Sequence, residues 1–172
     1  GEIEGNKGKH EIFFPLVSPC FPLFPFDSIS LWRGVLSRLI GPSTGTERNQ
    51  HRRSIAEALR RLMGKQSVDA EAKDLIALVV FSLRAIAEGI ERSAAAWEKR
   101  DYFVKADRFR ADWAWVETSA NRLEVMLRGE MWNDLPLALV ELVPRFADIT
   151  ITKFVRTEAL WRGCYQRLMA EK

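Results

Sequence analysis

The strongest constraint on the fold is a run of apolar residues that alternate four and three positions apart between residues 102 and 127. The run consists of Tyr102, Ala106, Phe109, Trp113, Val116, Ala120, Leu123 and Leu127. Because an α-helix turns once every 3.6 residues, this spacing places all of these side chains along one side of a helix. The preceding segment, from Ala72 to Trp97, repeats the pattern with Ser93 as its one polar member. Two such helices with a short connection predict antiparallel packing in a bundle.

Local signals predict where the helices begin and end. Gly64 and Gly129 are typical helix stops, and either Ser67 or Asp69 suits the N-cap of the helix that follows. The β-branched run at 149–154 predicts a short extended piece. Shorter helices are predicted over about 51–63, 131–147 and 155–170.

The expected fold is therefore all-α, an antiparallel helical bundle of about four to five helices formed by residues 48–172. Residues 29–47 are predicted to form a short amphipathic helix and a linker. Apolar residues make up 47% of the 172-residue chain and charged residues 28%, which is typical of a globular protein with a real core. No stretch approaches the roughly 18–20 apolar residues that a membrane-spanning helix needs.

Residues 1–28 differ from the rest of the chain. They include FFPLVSPCFPLFPF at 13–26, where four prolines prevent a regular helix or a central strand. We expect a poorly ordered or extended Pro/Phe-rich segment. Two interpretations of this segment stay open. Either it is a proline-stiffened docking arm, or it is the translation of a pyrimidine-rich DNA tract that is not native coding sequence.

A stretch of eleven residues occurs twice, as SLWRGVLSRLI at 30–40 and ALWRGCYQRLM at 159–169, with six identical positions. Each copy is predicted to be a short amphipathic helix with an aromatic anchor, Trp32 or Trp161, beside an apolar stripe. The repeat has three explanations: coincidence, docking of both helices in similar grooves, or imitation of the C-terminal helix by residues 29–40. Under the last explanation, residues 29–40 occupy the groove of the C-terminal helix, either in the same copy of the chain or in a second copy.

The net charge of +3 is concentrated in one segment, because residues 51–65 hold five Lys or Arg and one Glu. Basic side chains at this density can neutralise phosphates or an acidic protein surface, and they also suit a plain amphipathic helix with a solvated face. No aromatic residue is interleaved with them as a base-stacking platform requires. The candidate anion-binding or nucleic-acid-binding residues are Arg48, Arg52, Arg53, Arg60, Arg61 and Lys65.

The sequence offers little support for catalysis. His10 and His51 are the only histidines, and neither lies in a pattern that suggests a catalytic triad or a metal site. The two cysteines, Cys20 and Cys164, are too few for a disulfide framework, which favours a reducing, cytoplasmic compartment. Carboxylates on the second and third helices alternate with arginines, as on a solvated face. We expect no enzyme activity and no cofactor.

The favoured hypothesis is a non-catalytic protein-interaction or assembly protein that binds a protein partner or another copy of itself through an aromatic-rich surface. Trp113 and Trp115, two positions apart, are predicted to face different ways, with one in the core and the other on a contact surface. The alternative hypothesis is a nucleic-acid-binding accessory protein that uses the basic helix 48–65. The candidate protein-interaction residues are Leu31, Trp32, Trp115 and Trp161.

Overall fold

The computed structural model describes residues 43–171, and these form five α-helices and two short 3₁₀ turns. No strand occurs between Ser43 and Glu171, so the predicted all-α class is confirmed for this part of the chain. The helices are α1 (Thr44–Met63), α2 (Ala70–Glu98), α3 (Phe103–Arg128), α4 (Leu135–Leu142) and α5 (Cys164–Ala170), with 3₁₀ turns at Val143–Phe146 and Glu158–Leu160.

Helix α2 is the centre of the bundle and packs against α1, α3 and α5. Its residues from Leu75 to Val80 are all buried, which requires neighbours on every side of the helix. Asp69 is its N-cap, because the Oδ1 atom accepts a hydrogen bond of 2.7 Å from the backbone N–H of Ala72. Of the two predicted caps, Asp69 is therefore the one that is used.

Helix α1 begins earlier than expected, at Thr44, where the predicted linker was placed. The Oγ atom of Ser43 accepts a hydrogen bond of 3.3 Å from the N–H of Thr46 and caps the first turn. The helix ends at the predicted Gly64. All residues from Ser54 to Leu59 are buried, so the expected solvated polar face is covered along this part of the helix.

A buried carboxylate explains how that face is covered. Glu57 is almost fully buried, and its Oε2 atom accepts hydrogen bonds from the backbone N–H groups of Val155 and Arg156, at 3.1 and 2.9 Å. The segment from 147 to 157 therefore lies across α1 as an irregular loop. The extended piece predicted at 149–154 is part of this loop and forms no strand.

The C-terminal helix is shorter than the predicted 155–170. Gly163 has a left-handed backbone conformation, with φ of 77°, which ends the turn before it and permits α5 to begin at Cys164. Asp74 of α2 accepts hydrogen bonds from the N–H groups of Gly163 and Tyr165, at 3.0 and 2.9 Å. A carboxylate from another helix thus takes the place of a local N-cap.

Helix α4 is also shorter than the predicted 131–147. It begins at Leu135, with Pro136 in its first turn, and it gives way to a 3₁₀ turn at Val143–Phe146 that contains Pro144. A proline has no N–H and clashes with the preceding turn, which accounts for the early end of the α-helix. By contrast, α3 ends at Gly129 as predicted.

Candidate functional site

The basic residues in the first half of α1 contact aromatic rings of α3. The guanidinium of Arg48 lies 5.3 Å from the ring centre of Phe109 and 5.4 Å from that of Trp113. Arg52 lies 6.0 Å from the Trp113 ring and donates to both carboxylate oxygens of Asp148, at 2.7 and 2.9 Å. Both side chains therefore cover the bundle rather than project freely into solvent.

The basic residues in the second half of α1 hold the irregular loop. Arg60 donates a hydrogen bond of 2.5 Å to the carbonyl of Ile151. Arg61 lies over the rings of Phe154 and Trp161, with centre distances of 4.5 and 4.8 Å. Arg53 is exposed, and it makes neither a salt bridge nor a side-chain hydrogen bond with any residue between 43 and 171.

Lys65 follows α1 and bridges two carboxylates. Its Nζ atom lies 2.7 Å from oxygens of both Asp69 and Glu71. These hydrogen bonds raise the pKa of Lys65, and the bond from Lys65 together with the Ala72 N–H lowers the pKa of Asp69. Of the six basic candidates, only Arg53 is left without a contact of this kind in the described part of the chain.

The two tryptophans of α3 that were expected to face different ways instead stack on each other. The rings of Trp113 and Trp115 have centres 6.1 Å apart and planes 24° apart, and both rings are half-buried. Trp115 also meets the edge of Phe146 at 5.9 Å, and Arg145 lies 5.1 Å from its ring centre. The prediction of one core tryptophan and one surface tryptophan was wrong, since Arg145 and Phe146 occupy much of the space around Trp115.

Trp161 is not available as an interaction residue on the surface of the bundle. Only 4% of it is exposed, and its ring packs beneath Arg61. The stretch ALWRGCYQRLM is not one helix, because Gly163 separates a 3₁₀ turn from α5. The predicted amphipathic helix was therefore wrong for this copy. The other copy, with Leu31 and Trp32, lies outside the described residues.

An apolar concave surface is lined by the end of α1, the segment that joins it to α2, the beginning of α2, and α4. This surface, named the α4 groove, has a volume of about 350 Å³. Its lining is mainly aliphatic, with Lys65, Gln66 and Ser67 as its polar members. The lining residues are Leu59, Leu62, Met63, Lys65, Gln66, Ser67, Val68, Ala72, Ile76, Leu135, Pro136, Leu139, Val140 and Val143.

The sequence of α4, LPLALVEL, explains why this region is apolar on the outside as well as the inside. Leu135, Ala138 and Leu142 face the core, while Leu137 is 62% exposed and Val140 is 58% exposed. Met63, at the end of α1, is 68% exposed beside the groove. Apart from Glu141, every residue of α4 is apolar, and Leu137 and Val140 are left exposed on its outer side.

The charged groups at the edge of the α4 groove are paired with one another, two basic side chains with three acidic ones. Lys65 is neutralised by Asp69 and Glu71, and Glu141 on α4 pairs with Arg122 of α3. Of the groove residues, only Lys65 was named as a candidate from the sequence, and it was named for anion binding. The apolar run at 135–143, broken only by Glu141, was the signal that could have indicated the groove.

The cysteine within residues 43–171, Cys164, is buried. Burial raises the pKa of the Cys164 thiol, which keeps it protonated at neutral pH. Arg110 pairs with both Glu91 and Glu98, at 3.0 and 2.5 Å. No group of three or more His, Cys, Asp or Glu within residues 43–171 is arranged to hold a metal ion.

Comparison of the chain with protein-family models, with curated proteins and with solved structures found no match. Between Ser43 and Glu171 there is also no helix whose length and apolar character would allow it to cross a membrane.

Proposed function

We propose that this chain is a non-catalytic assembly protein that associates with a second copy of itself through the α4 groove and the exposed face of α4. The observation that carries the proposal is the outward exposure of Leu137 and Val140 on a helix whose inner face is already buried in the core. Apolar surface of this kind is typical of homodimer interfaces.

The shape of the surface supports a second copy as the occupant. In a two-fold dimer the same patch meets itself, so it must contain both a hollow and a ridge. Pro136, Leu139 and Val140 line one side of the α4 groove, and Leu137 stands exposed on the neighbouring side of the same helix. In such a dimer, Leu137 of each copy can therefore insert into the α4 groove of the other copy.

The charges at the edge of the surface support the same choice. A patch that meets itself brings like charges together, which costs free energy if the patch has a net charge. Here Lys65 is paired with Asp69 and Glu71, and Arg122 is paired with Glu141. Because these charges are paired and nearly balance, this edge does not favour a partner of strongly opposite charge.

The basic helix supports the nucleic-acid alternative less well. Nucleic-acid affinity depends on cations that are free to neutralise phosphates. Arg52 and Lys65 are paired with carboxylates, and Arg48 and Arg61 lie over aromatic rings. We therefore place the association surface at α4 rather than at residues 48–65.

The test is the mass of the full chain in solution, measured by size exclusion with light scattering and with absorbance at 260 and 280 nm. We expect a dimer at micromolar concentration and a monomer for Leu137→Glu and for Val140→Glu. Val125→Glu, at an exposed valine of α3 away from the groove, is the matched control and should remain dimeric. A wild-type monomer, or equal dissociation by all three variants, overturns the proposal. A peak with excess 260 nm absorbance that Arg53→Met removes would support the nucleic-acid alternative instead.

A further inference from the structure

A second cavity lies on a different part of the bundle and has a different chemistry. It is formed by the middle of α1, the middle of α2, the loop at 155–157 and α5, and its volume is about 530 Å³. The polar residues that line it are Gln50, His51, Ser54, Ser82, Arg156, Thr157 and Arg167. The lining contains cations and hydroxyl groups but no carboxylate.

The two arginines of this cavity differ from most arginines on the helices. Arg84, for example, pairs with Glu124 and Glu171. Arg156 donates instead to the neutral oxygens of Ser54, at 3.0 Å, and Gln50, at 3.3 Å. Within residues 43–171, neither Arg156 nor Arg167 forms a salt bridge with a carboxylate.

Packing holds the Arg167 guanidinium close to the cavity wall. It lies 4.3 Å from the ring centre of Phe81, which itself lines the cavity. A guanidinium that stacks on an aromatic ring keeps its in-plane N–H groups available for a planar anion. Arg156 and Arg167 thus provide two positive charges without an acidic partner at one cavity.

Two glutamates that interact with residues of the cavity lining are engaged in other contacts. The carboxylate of Glu57 accepts the backbone N–H groups of Val155 and Arg156, and Glu47 pairs with Arg92 at 2.8 Å. Neither glutamate lines the cavity. An anion that enters would therefore meet two guanidinium groups and several hydroxyl groups without displacing a carboxylate.

The rest of the wall is apolar. Leu78, Phe81, Val155 and Leu160 line it. His51 adds a polar group whose pKa is lowered, chiefly by burial and against the opposing charge of Glu47, so its imidazole is neutral at pH 7. Small-molecule sites commonly combine an apolar wall with a few converging polar groups in a cavity of about 300–1,000 Å³.

We infer that this cavity binds a soluble small molecule that has an anionic head group, a carboxylate or a phosphate, on a short apolar body. Arg156 and Arg167 bind the head group, and Ser82 and Thr157 are placed to add hydrogen bonds to it. Phe81 and Leu78 contact the apolar body. This inference does not depend on self-association through α4.

The experiment titrates the full chain by calorimetry with three probes that share one apolar body: octanoate, octyl phosphate and octanol. We expect at least one anion to bind about tenfold or more tightly than octanol, because a hydrogen bond to a charged group is worth more than one to a neutral group. Octanoate and octyl phosphate together distinguish a carboxylate ligand from a phosphate ligand. Equal affinity for octanol and both anions overturns the inference.

A matched pair of variants tests the site. Arg167→Met keeps the long side chain over Phe81 and removes the charge, and it should weaken anion binding about tenfold. Arg53→Met removes a charge from an exposed part of α1 outside this cavity and should leave anion binding unchanged. Equal losses in the two variants would mean that binding follows net charge, which overturns the inference.

Nuclear magnetic resonance of the wild-type chain keeps the test independent of any variant. Amide shifts on adding octanoate or octyl phosphate should centre on residues 50–54, 78–82, 155–157 and 167. Shifts centred on the α4 groove would overturn the inference. If the chain sediments with phosphatidic acid vesicles but binds neither soluble anion, the surface binds a membrane. That result likewise overturns the inference.

Discussion

The two halves of α3 have the same apolar spacing but different surroundings. In the second half, Val116, Ala120, Leu123 and Leu127 are almost completely buried. In the first half, Phe109 and Trp113 are half-buried, and arginine side chains from α1 lie over their rings. The apolar side of a helix can therefore be covered either by other apolar helices or by arginine side chains that stack on its aromatic rings.

The neighbours of each half account for the difference. Leu123 lies beside Ala138 and Leu142 of α4, and Arg128 donates a hydrogen bond of 2.9 Å to the carbonyl of Leu168 in α5. The first half of α3 packs on the end of α2, where Trp97 meets Phe109 at 5.0 Å. Because α4 and α5 are short, apolar cover is concentrated at one end of α3.

The largest effect is expected from Leu123→Ala in the fully buried half. The substitution removes buried methyl groups and leaves a cavity, which should lower the free energy of unfolding by about 2–5 kcal/mol. Urea denaturation followed by circular dichroism measures this change. A loss below about 1 kcal/mol would contradict the description of this half as close-packed.

Trp113→Ala should have a smaller effect, a loss of about 1–2 kcal/mol, although it removes a larger side chain. The ring is half-exposed, and much of its contact is with Arg48, Arg52 and Trp115. The same denaturation measurement applies. If this loss equals or exceeds that of Leu123→Ala, the proposed difference between the two halves is wrong.

Acid should weaken the second half through Glu124. Burial alone would raise the pKa of Glu124, but the hydrogen bonds and charges of Arg84 and Arg128 outweigh it and lower the pKa below 4.5. The stabilisation is therefore present above the unfolded-state pKa and is lost as the pH falls through the folded-state pKa. Wild type should exceed Glu124→Gln in stability at pH 6, and the gap should narrow by pH 3. A gap that does not change with pH would contradict this linkage.

The smallest effect is expected from Arg48→Met in the first half. The variant keeps a long apolar side chain but loses the charge over Phe109 and Trp113, which should cost about 0.5–1 kcal/mol. Arg53→Met, at an exposed arginine of the same helix, is the control and should change stability by less than about 0.5 kcal/mol. Equal losses of stability in the two variants would mean that the contact of Arg48 with the two rings does not stabilise the protein.

The sequence predicted those features that depend on neighbouring residues along the chain. Gly64, Gly129 and the cap at Asp69 act within one helical turn, and the four-three spacing of α3 depends on that helix alone. These signals were sufficient for the all-α class, the end of α1, the beginning of α2 and the end of α3. They carried no information about which half of α3 would be covered by another helix.

The errors lie where distant residues determine the structure. The predicted helix at 155–170 was wrong for residues 155–163, where Glu57 and Asp74 bind the backbone of an irregular segment. The α4 groove was missed since α1, α2 and α4 all contribute to it. Arg48 and Arg61 were named among the candidate anion-binding residues, and the sequence did not reveal their aromatic partners, which are far away along the chain.

The carboxylates of Glu57 and Asp74 have a consequence for the order of events during synthesis. Each precedes the backbone groups that it binds by about 90 to 100 positions. Domains fold in step with the emerging chain, so both carboxylates stay hydrated until residues 155–165 have been made. Because they bind main-chain N–H groups, many side chains could occupy positions 155 and 165 without losing these bonds. The last stage of folding therefore joins segments that are far apart in the sequence, which makes it slow. It also tolerates sequence change at these positions.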